Sequence, residues 1–396
     1  MITAGDLRSR LRTLEPIGLS GRGTNRLAWT AEDAAGARWF EAQAADVGLT
    51  VSRDPAGNLW ACPEDAGPWW GVGSHLDSVR DGGRYDGALG VAAAFEVACR
   101  VSRPVAVISF ADEEGARFNT PTFGSRALAG RLDVEDVLAR RDDDAIGLAD
   151  AMRGGGGDPD RLGSTVDGLA RLIGFLELHI DQSTEVAAAG APVGVVRSLA
   201  SRLRLQVDLH GEADHAGTTR RDERRDALGA TARLIVAADD SAADDPAFVV
   251  TASRILVSPN ALTTVPAEVR LWLDARAPAP GLLDAWQESL DVAADQLARR
   301  TGVRIEVTVA SRSAGVSFDE DLRRRLLEQG RRRHAAAPEV TCFAGHDAGV
   351  LAEHMPAGMV LVRNTSGISH SPREEVALDD AAAAAEVVLS TLESLG

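Results

Sequence analysis

Apolar and polar positions along the chain fall into two regimes. Up to about residue 199, and again after about 312, short apolar runs such as WWGVGS, PVAVISFA and GFLELHI each end in polar residues, and Ala-rich helical stretches separate several of them. Buried strands read as continuous apolar runs, so this alternation predicts an α/β sheet covered by helices, with functional side chains collecting beyond the strand ends. Thr30-Ala-Glu-Asp33 has the form of a capping box with Asp in the last place and predicts a helix to Val47, while Asp54-Pro-Ala-Gly57 is turn chemistry between two strands. Between those two parts the period changes. SRLRLQVDLHG alternates Leu203, Leu205, Val207 and Leu209 with polar partners, and VRLWLDAR repeats the pattern, as in a sheet wetted on one face. Helices are expected near 225–238 and 282–299, then the strand VRIEVTV. Residues 200–311 therefore read as an inserted α+β domain, with 1–199 and 312–396 forming the other domain. The Gly154 to Gly157 and Asp142 to Asp144 runs read as surface loops.

Length supports two domains, since 396 residues exceed what one hydrophobic core usually organises. A formal charge of -17 opposes contact with phosphate backbones and anionic membranes, so neither nucleic acid nor a membrane is an expected partner. Cys62, Cys99 and Cys342 are too few and too scattered for a disulfide framework or a thiolate cluster, and a reducing compartment fits them best. The start MITAGDLRSRLRTLEP lacks the apolar stretch of a leader, and no run of about 18 apolar residues appears, so a cytoplasmic location is expected.

Strand ends then supply the candidate chemistry. The segment GSHLDSVRDGGRYDG carries His75, Asp77 and Asp86. An imidazole ligates a divalent metal well when a carboxylate fixes its second nitrogen, which the His-x-Asp spacing offers through Asp77, and Asp86 after the Gly-Gly turn is placed to bridge two ions. PVAVISFADEEG runs an apolar strand into Asp112, Glu113 and Glu114. A metal would relieve their mutual repulsion and divide the labour, one Glu ligating while the other moves protons. FLELHIDQ ends on His179, and GISHSPREE carries His370 in a polar loop. Each histidine alone is better explained as structural; jointly, three imidazoles and at least two carboxylates at strand ends form a donor set for zinc, with manganese and cobalt as alternatives. His215, in GEADHAGTTRR, is a candidate oxyanion stabiliser or a surface-loop histidine, and Arg276 a candidate clamp for a substrate carboxylate or an ordinary exposed Arg. AGHDA places Gly345 and His346 as site-lining candidates, with a structural role the alternative for His346.

Taken in order, TNRLAW, DPAGNLW, GSHLDSVRDGGRYDGALGV, DEEGARF, LHIDQ, GEADHAGTTR, AGHDA and GISHSPREE resemble the di-zinc amidohydrolases related to aminoacylases and zinc carboxypeptidases. Within these, the resemblance is to the allantoate amidohydrolase, N-carbamoyl-L-amino-acid hydrolase and β-ureidopropionase group, and it spans nearly the whole chain. It implies a mixed-sheet, aminopeptidase-like catalytic domain of α/β class with an inserted α+β lid and dimerisation domain. It further implies that His75 and Glu114 ligate different metals, Asp86 bridges them, and His179 and His370 are the remaining imidazoles. Glu113 becomes the general base, and Asp77 supports His75. Gln182 and Arg276 contact substrate, and His215 reaches the site of a neighbouring subunit in a homodimer. Three departures bear on the substrate side: Asp181-Gln182-Ser183 in place of Glu-Gln-Gly, Thr263 where a substrate-binding Asn is usual with Ala267 in place of Gly, and Arg220-Arg221 in place of Pro-Met. The reaction implied is hydrolysis of a ureido or amide C–N bond in a small carboxylate. The alternatives are an aminoacylase or dipeptidase on the same scaffold, and a catalytically silent binding or scaffold dimer.

Overall fold

A computed structural model describes residues 1–64, 67–242 and 247–395. The chain folds as two compact units, Met1–Arg197 with Ser317–Gly396, and Ser198–Val316. The stretch 200–311 expected as an insert lies inside the second.

The first unit is built on a mixed sheet. From one side to the other its strands include Val193–Leu199, Ala357–Val362, Leu172–Ile180, Trp69–His75, Val105–Phe110, Leu59–Cys62 and Thr50–Arg53. Four consecutive neighbours, 357–362, 172–180, 69–75 and 105–110, are mutually parallel. In register, His75 lies opposite Phe110 and Leu361 opposite His179, so these strands finish at one level. Every residue of VAVISF is buried, which explains why the run lacks the alternation of a half-wetted strand. Helix Ala88–Ala98 packs on the 69–75 and 172–180 strands and is itself almost wholly buried, its small residues permitting close approach to the sheet. It joins helices Ala4–Leu14 and Leu378–Ser394 in the main core around Phe40, Phe95 and Leu178. A separate cluster packs Trp29 against Phe118, Phe123 and Met152 of the segment of short helices that follows.

Local chemistry departs from expectation in small ways. Thr30 caps helix Ala31–Asp46 by accepting from the Asp33 amide, but the Asp33 carboxylate accepts the Trp29 amide (2.9 Å) rather than that of Thr30, whereas Thr3 and Asp6 close a full capping box on helix Ala4–Leu14. Gly154 and Gly155 close helix Leu148–Gly155 instead of lying in a loop, and Asp142 holds Arg117 (2.8 Å) with its side chain largely enclosed.

In the second unit a four-stranded antiparallel sheet runs in the order 249–258, 268–277, 201–210, 304–313. Strand Ser201–His210 alternates strictly, with Leu203, Leu205, Val207 and Leu209 buried against helices Ala227–Asp240 and Pro280–Thr301. No helix among the described residues is long and apolar enough to cross a membrane.

Candidate metal centre

Three of the four parallel strands end within, or run directly into, the site, and the fourth leads into the loop carrying His370. His75 is the last residue of its strand, His179 the penultimate residue of its own, and Glu113 and Glu114 follow Phe110 by three and four positions. His370 lies in the loop after Val362, held at φ 53°, a left-handed conformation that a non-glycine residue adopts only when its surroundings impose it.

Asp86 is the hub. Its Oδ1 stands 3.0 Å from His179 Nε2 and 3.6 Å from His75 Nε2, while Oδ2 is 3.4 Å from His370 Nε2. Glu114 Oε2 is 3.3 Å from the same His370 nitrogen. Two donor groups thus share one carboxylate: His75, Asp86 and His179, and Asp86, Glu114 and His370. Neighbours fix these groups in turn. His179 Nδ1 lies 3.0 Å from the Ile180 carbonyl oxygen, leaving Nε2 facing Asp86. The corresponding partner of His75 Nδ1 is the Asp77 main-chain oxygen at 3.0 Å, with the Asp77 carboxylate farther off at 3.6 Å. That carboxylate is otherwise engaged, accepting the amides of Glu113 and Glu114 at 3.1 Å each, so Asp77 orients both acids as well as His75. Glu374 accepts the amides of Tyr85 and Asp86 (2.8 and 3.1 Å) and ties the bridging loop to the His370 loop. Gln182 Nε2 and Ser369 Oγ both donate to Asp86 Oδ2, at 3.1 and 2.7 Å. Gly87, at φ 63°, follows the hub, and its missing side chain makes room for the His75 ring.

Electrostatics test whether the residues fit metal ions. Burial pushes the Glu113 carboxyl well above the usual range, and Asp347 and Glu114 add to this against the pull of His75. Burial likewise raises Glu114 to about 7, helped by Asp86. Burial alone would lower the His75 imidazole, yet Glu113, Asp77 and Asp86 hold it well above its ordinary value. His370 rises to about 8 through its bond to Asp86. Glu114 Oε1 is buried with no hydrogen-bond partner. Against its burial, His179, His370 and His75 hold the Asp86 carboxyl well below the usual range, so buried carboxylates and imidazoles are crowded together as in a donor set for divalent cations. The donor set fits zinc, and manganese or cobalt equally by type.

Other expected residues are placed as follows. Gly345 is exposed and His346 buried, its ring 4.4 Å from that of His179. His215, Thr263 and Arg276 all belong to the second unit. His215 is exposed, and its Nδ1 accepts the amides of Gly217 and Thr218 (3.0 and 3.2 Å), which leaves the proton on Nε2. Thr263 is exposed, its carbonyl accepting the Ala216 amide beside the two-stranded ladder in which His215 pairs with Thr264. Arg276 Nε donates to Asp274 Oδ1 at 2.9 Å. Sequence reasoning missed Glu177, Asp347, Ser369 and Glu374. Glu177 had a signal: it is the one acid inside a buried run, two residues before His179.

Parallel strands delivering two donor groups joined through one carboxylate place the chain among metal-dependent hydrolases. More closely, the chain belongs to Peptidase family M20/M25/M40, which matches residues 64–394. It is 35% identical over 407 residues to the N-carbamoyl-L-amino acid amidohydrolase of Geobacillus stearothermophilus, covering 100% of this chain and 99% of that protein. It is 29% identical over 374 residues to the allantoate amidohydrolase of Bacillus subtilis strain 168, covering 89% and 88%. Among solved structures, a hydantoinase/carbamoylase family amidase from Burkholderia ambifaria superposes with a TM-score of 0.85 at 29% identity, covering 99% of this chain and 97% of that one. The chain is an amidohydrolase.

Proposed function

We propose that the protein hydrolyses the linear ureido group of a small carboxylate, an N-carbamoyl-L-amino acid or allantoate, to the amine, carbon dioxide and ammonia, with two divalent metal ions per subunit. The observation that carries this reading is Asp86, shared between two donor groups beside the buried Glu113. His75, Asp86 and His179 would hold one ion and Asp86, Glu114 and His370 the other. Zinc is the ion we assign, with manganese or cobalt as substitutes in reconstitution. When bound, the ions supply Lewis acidity and a water of lowered pKa.

The remaining steps belong to the chain. Glu113, enclosed and raised in pKa, takes the proton of the attacking water as its oxygen adds to the ureido carbonyl, and returns it to the departing nitrogen. Asp77 aims Glu113 through its amide. His215 Nε2–H, contributed by the second copy of a homodimer, stabilises the oxyanion of the tetrahedral adduct. Arg276 receives the substrate carboxylate, with Gln182, Thr263, Gly345 and His346 lining the rest of the substrate. Overall, R–NH–CO–NH2 and one water give R–NH2, carbon dioxide and ammonia. A cytoplasmic setting accords with the three unpaired cysteines.

An ammonia-release panel of allantoate, N-carbamoyl-L-amino acids and N-carbamoyl-β-alanine, run beside N-acetyl amino acids and dipeptides after zinc or manganese reconstitution, tests the reading. Turnover confined to ureido acids is expected, with Glu113→Gln keeping its metals and losing at least about 10²-fold in kcat. Turnover of dipeptides or acetyl amino acids alone, or near-normal hydrolysis by Glu113→Gln, would overturn it. Full activity on neutral amides and carboxylates alike after Arg276→Ala would remove the carboxylate clamp.

A further inference from the structure

The two donor groups that meet at Asp86 differ in how firmly their surroundings hold them. The inner group has His75 and His179, each 1% exposed at the side chain, whereas the His370 side chain of the outer group is 49% exposed. Both inner imidazoles sit at strand ends, and the Nδ1 of each faces a main-chain oxygen at 3.0 Å. His370 stands on a loop, and its polar contacts among the described residues are those to Asp86 and Glu114. The outer group therefore takes its geometry from elsewhere.

Ser369, one position before His370, is where the geometry comes from. Its hydroxyl donates to Asp86 Oδ2 at 2.7 Å, the same oxygen that stands 3.4 Å from His370 Nε2. A hydroxyl carries one proton, and its neighbours decide where that proton points. Gln182 Nε2 lies 3.1 Å from Asp86 Oδ2 and 3.2 Å from Ser369 Oγ, so its two N–H bonds can serve both oxygens. The serine proton is left to choose between Asp86 Oδ2 and Glu374 Oε2, and the contact to Glu374 is the longer at 3.3 Å. Glu374 in turn accepts the Asp86 amide through Oε1. One short loop thus grips Asp86 at two points, its amide through Glu374 and its carboxylate through Ser369. Because Ser369 and His370 are consecutive, the loop carries the imidazole and the anchor of the carboxylate oxygen together.

We propose that Ser369 is a positioning residue for the outer metal ion, holding Asp86 Oδ2 in register with His370 and Glu114, and that the inner ion does not depend on it. The proposal rests on the two-ion reading of the function and goes beyond it by assigning the hold on one ion to one hydroxyl. Asp86 Oδ1 needs no such anchor, since His179 Nε2 meets it at 3.0 Å from a strand end. Loss of a hydrogen bond that orients a ligating group commonly weakens metal binding 10–100-fold, and here the loss falls on the outer ion.

The test withdraws the ions stepwise from the loaded enzyme with a chelator of known affinity, for the wild type, Ser369→Ala, Ser369→Cys and Ser369→Thr. Zinc is followed by metal analysis and cobalt(II) by its visible absorption, with far-UV circular dichroism to confirm folding. The step that His370→Ala abolishes identifies the outer ion. Ser369→Ala is expected to weaken that step at least tenfold, to leave the other within threefold of wild type, and to alter only the part of the cobalt spectrum lost with the outer ion. Ser369→Cys is close to Ser in size but has only a weak S–H donor, so it is expected to follow Ala, and it provides the measurement if Ser369→Ala does not fold. Ser369→Thr keeps the hydroxyl and is expected within about threefold of wild type at both steps. Equal weakening of both ions, no weakening of either, or a Thr variant as weak as Ala overturns the role of Ser369 while leaving the two-ion reading intact. A wild type that binds fewer than two ions per subunit overturns that reading, and this proposal with it.

Discussion

Gly87→Ala should damage the metal centre more than the fold. Gly87 follows the bridging Asp86 and precedes helix Ala88–Ala98, with φ at 63°. With φ 63° and ψ -50°, Gly87 lies outside the left-handed helical region, in backbone space that strains any residue carrying a Cβ, a cost of about 1–3 kcal/mol that a chain of this size tolerates. Geometry adds the larger effect. A Cβ at this position would stand 2.5 Å from His75 Cδ2 and nearer still to Cε1 and Nε2, whereas relaxed carbon contacts lie near 3.5–4.0 Å. The ring therefore has to move by about 1 Å, and the atom displaced is the nitrogen that faces Asp86 and Glu113. Disturbing the neighbours of a ligand commonly weakens metal binding 10–100-fold, and moving the ligand itself should reach at least the upper end of that range. The assay is competition against a chelator of known affinity, with far-UV circular dichroism to confirm folding. Retention of both ions with affinity within threefold of wild type would refute the reasoning, because it would show that His75 is not constrained as a ligand at this site.

Other outcomes follow from the same geometry. Glu374→Ala removes the carboxylate oxygen that holds the Tyr85 and Asp86 amides, and should weaken metal retention 10–100-fold in the same competition assay; unchanged retention would mean that the bridging loop holds itself. Removing metal with a chelator should lower Tm by roughly 10 °C and re-addition should restore it, since ions bound at about 1,000 times Kd contribute about 4 kcal/mol and each kcal/mol is worth about 2–4 °C; an identical Tm with and without chelator would count against a metal site that bears on stability. Asp54 gives a pH test remote from the metals. Burial raises its carboxyl from 3.8 to about 6 against the bonds from Trp60 and Asn58. An acid whose folded-state pKa is raised contributes its stability below about pH 4 and loses it as pH rises through 6, so Asp54→Asn should gain relative to wild type by about 2 kcal/mol between pH 4 and 7, the partial solvent screening of the group discounted. Urea denaturation at both pH values measures the change, and a difference that stays constant with pH would show that Asp54 titrates normally.

Much of the site was legible because strand ends announce it. PVAVISF needs burial on both faces, so acids immediately after it, Asp112, Glu113 and Glu114, must lie where the sheet stops; the same logic applies to His75 and His179. The period change at Leu203 marked the second unit because a sheet covered on one face imposes a repeat of two. What the sequence concealed were relations across distance. Glu374 and Tyr85 are almost three hundred positions apart in the chain, and nothing local in SPREE distinguishes the acid that enters the core from Glu375 beside it. Asp77 was readable as a partner of His75, but its bonds to the Glu113 and Glu114 amides depend on the 69–75 and 105–110 strands lying side by side.

The buried acids also explain why so much of the chain is committed to one loop cluster. Asp77, Asp86, Asp112, Glu113, Glu177, Asp347 and Glu374 are all at most 7% exposed, a concentration of carboxylates that a core without compensating charge would not sustain. Several are met by main-chain amides, Asp77 by those of Glu113 and Glu114, Glu374 by those of Tyr85 and Asp86, Glu177 by that of Ala348. Fixed amide dipoles stabilise these acids without adding a mobile cation, which leaves Asp86 and Glu114 to the imidazoles and to the ions they would share. Glu113 differs: its largest opposing influence is His75, and that imidazole is also a donor to the site. Occupation of the site should therefore draw His75 away from Glu113 and leave the carboxylate with fewer partners of its own, a disposition suited to taking a proton from water rather than to holding a metal ion.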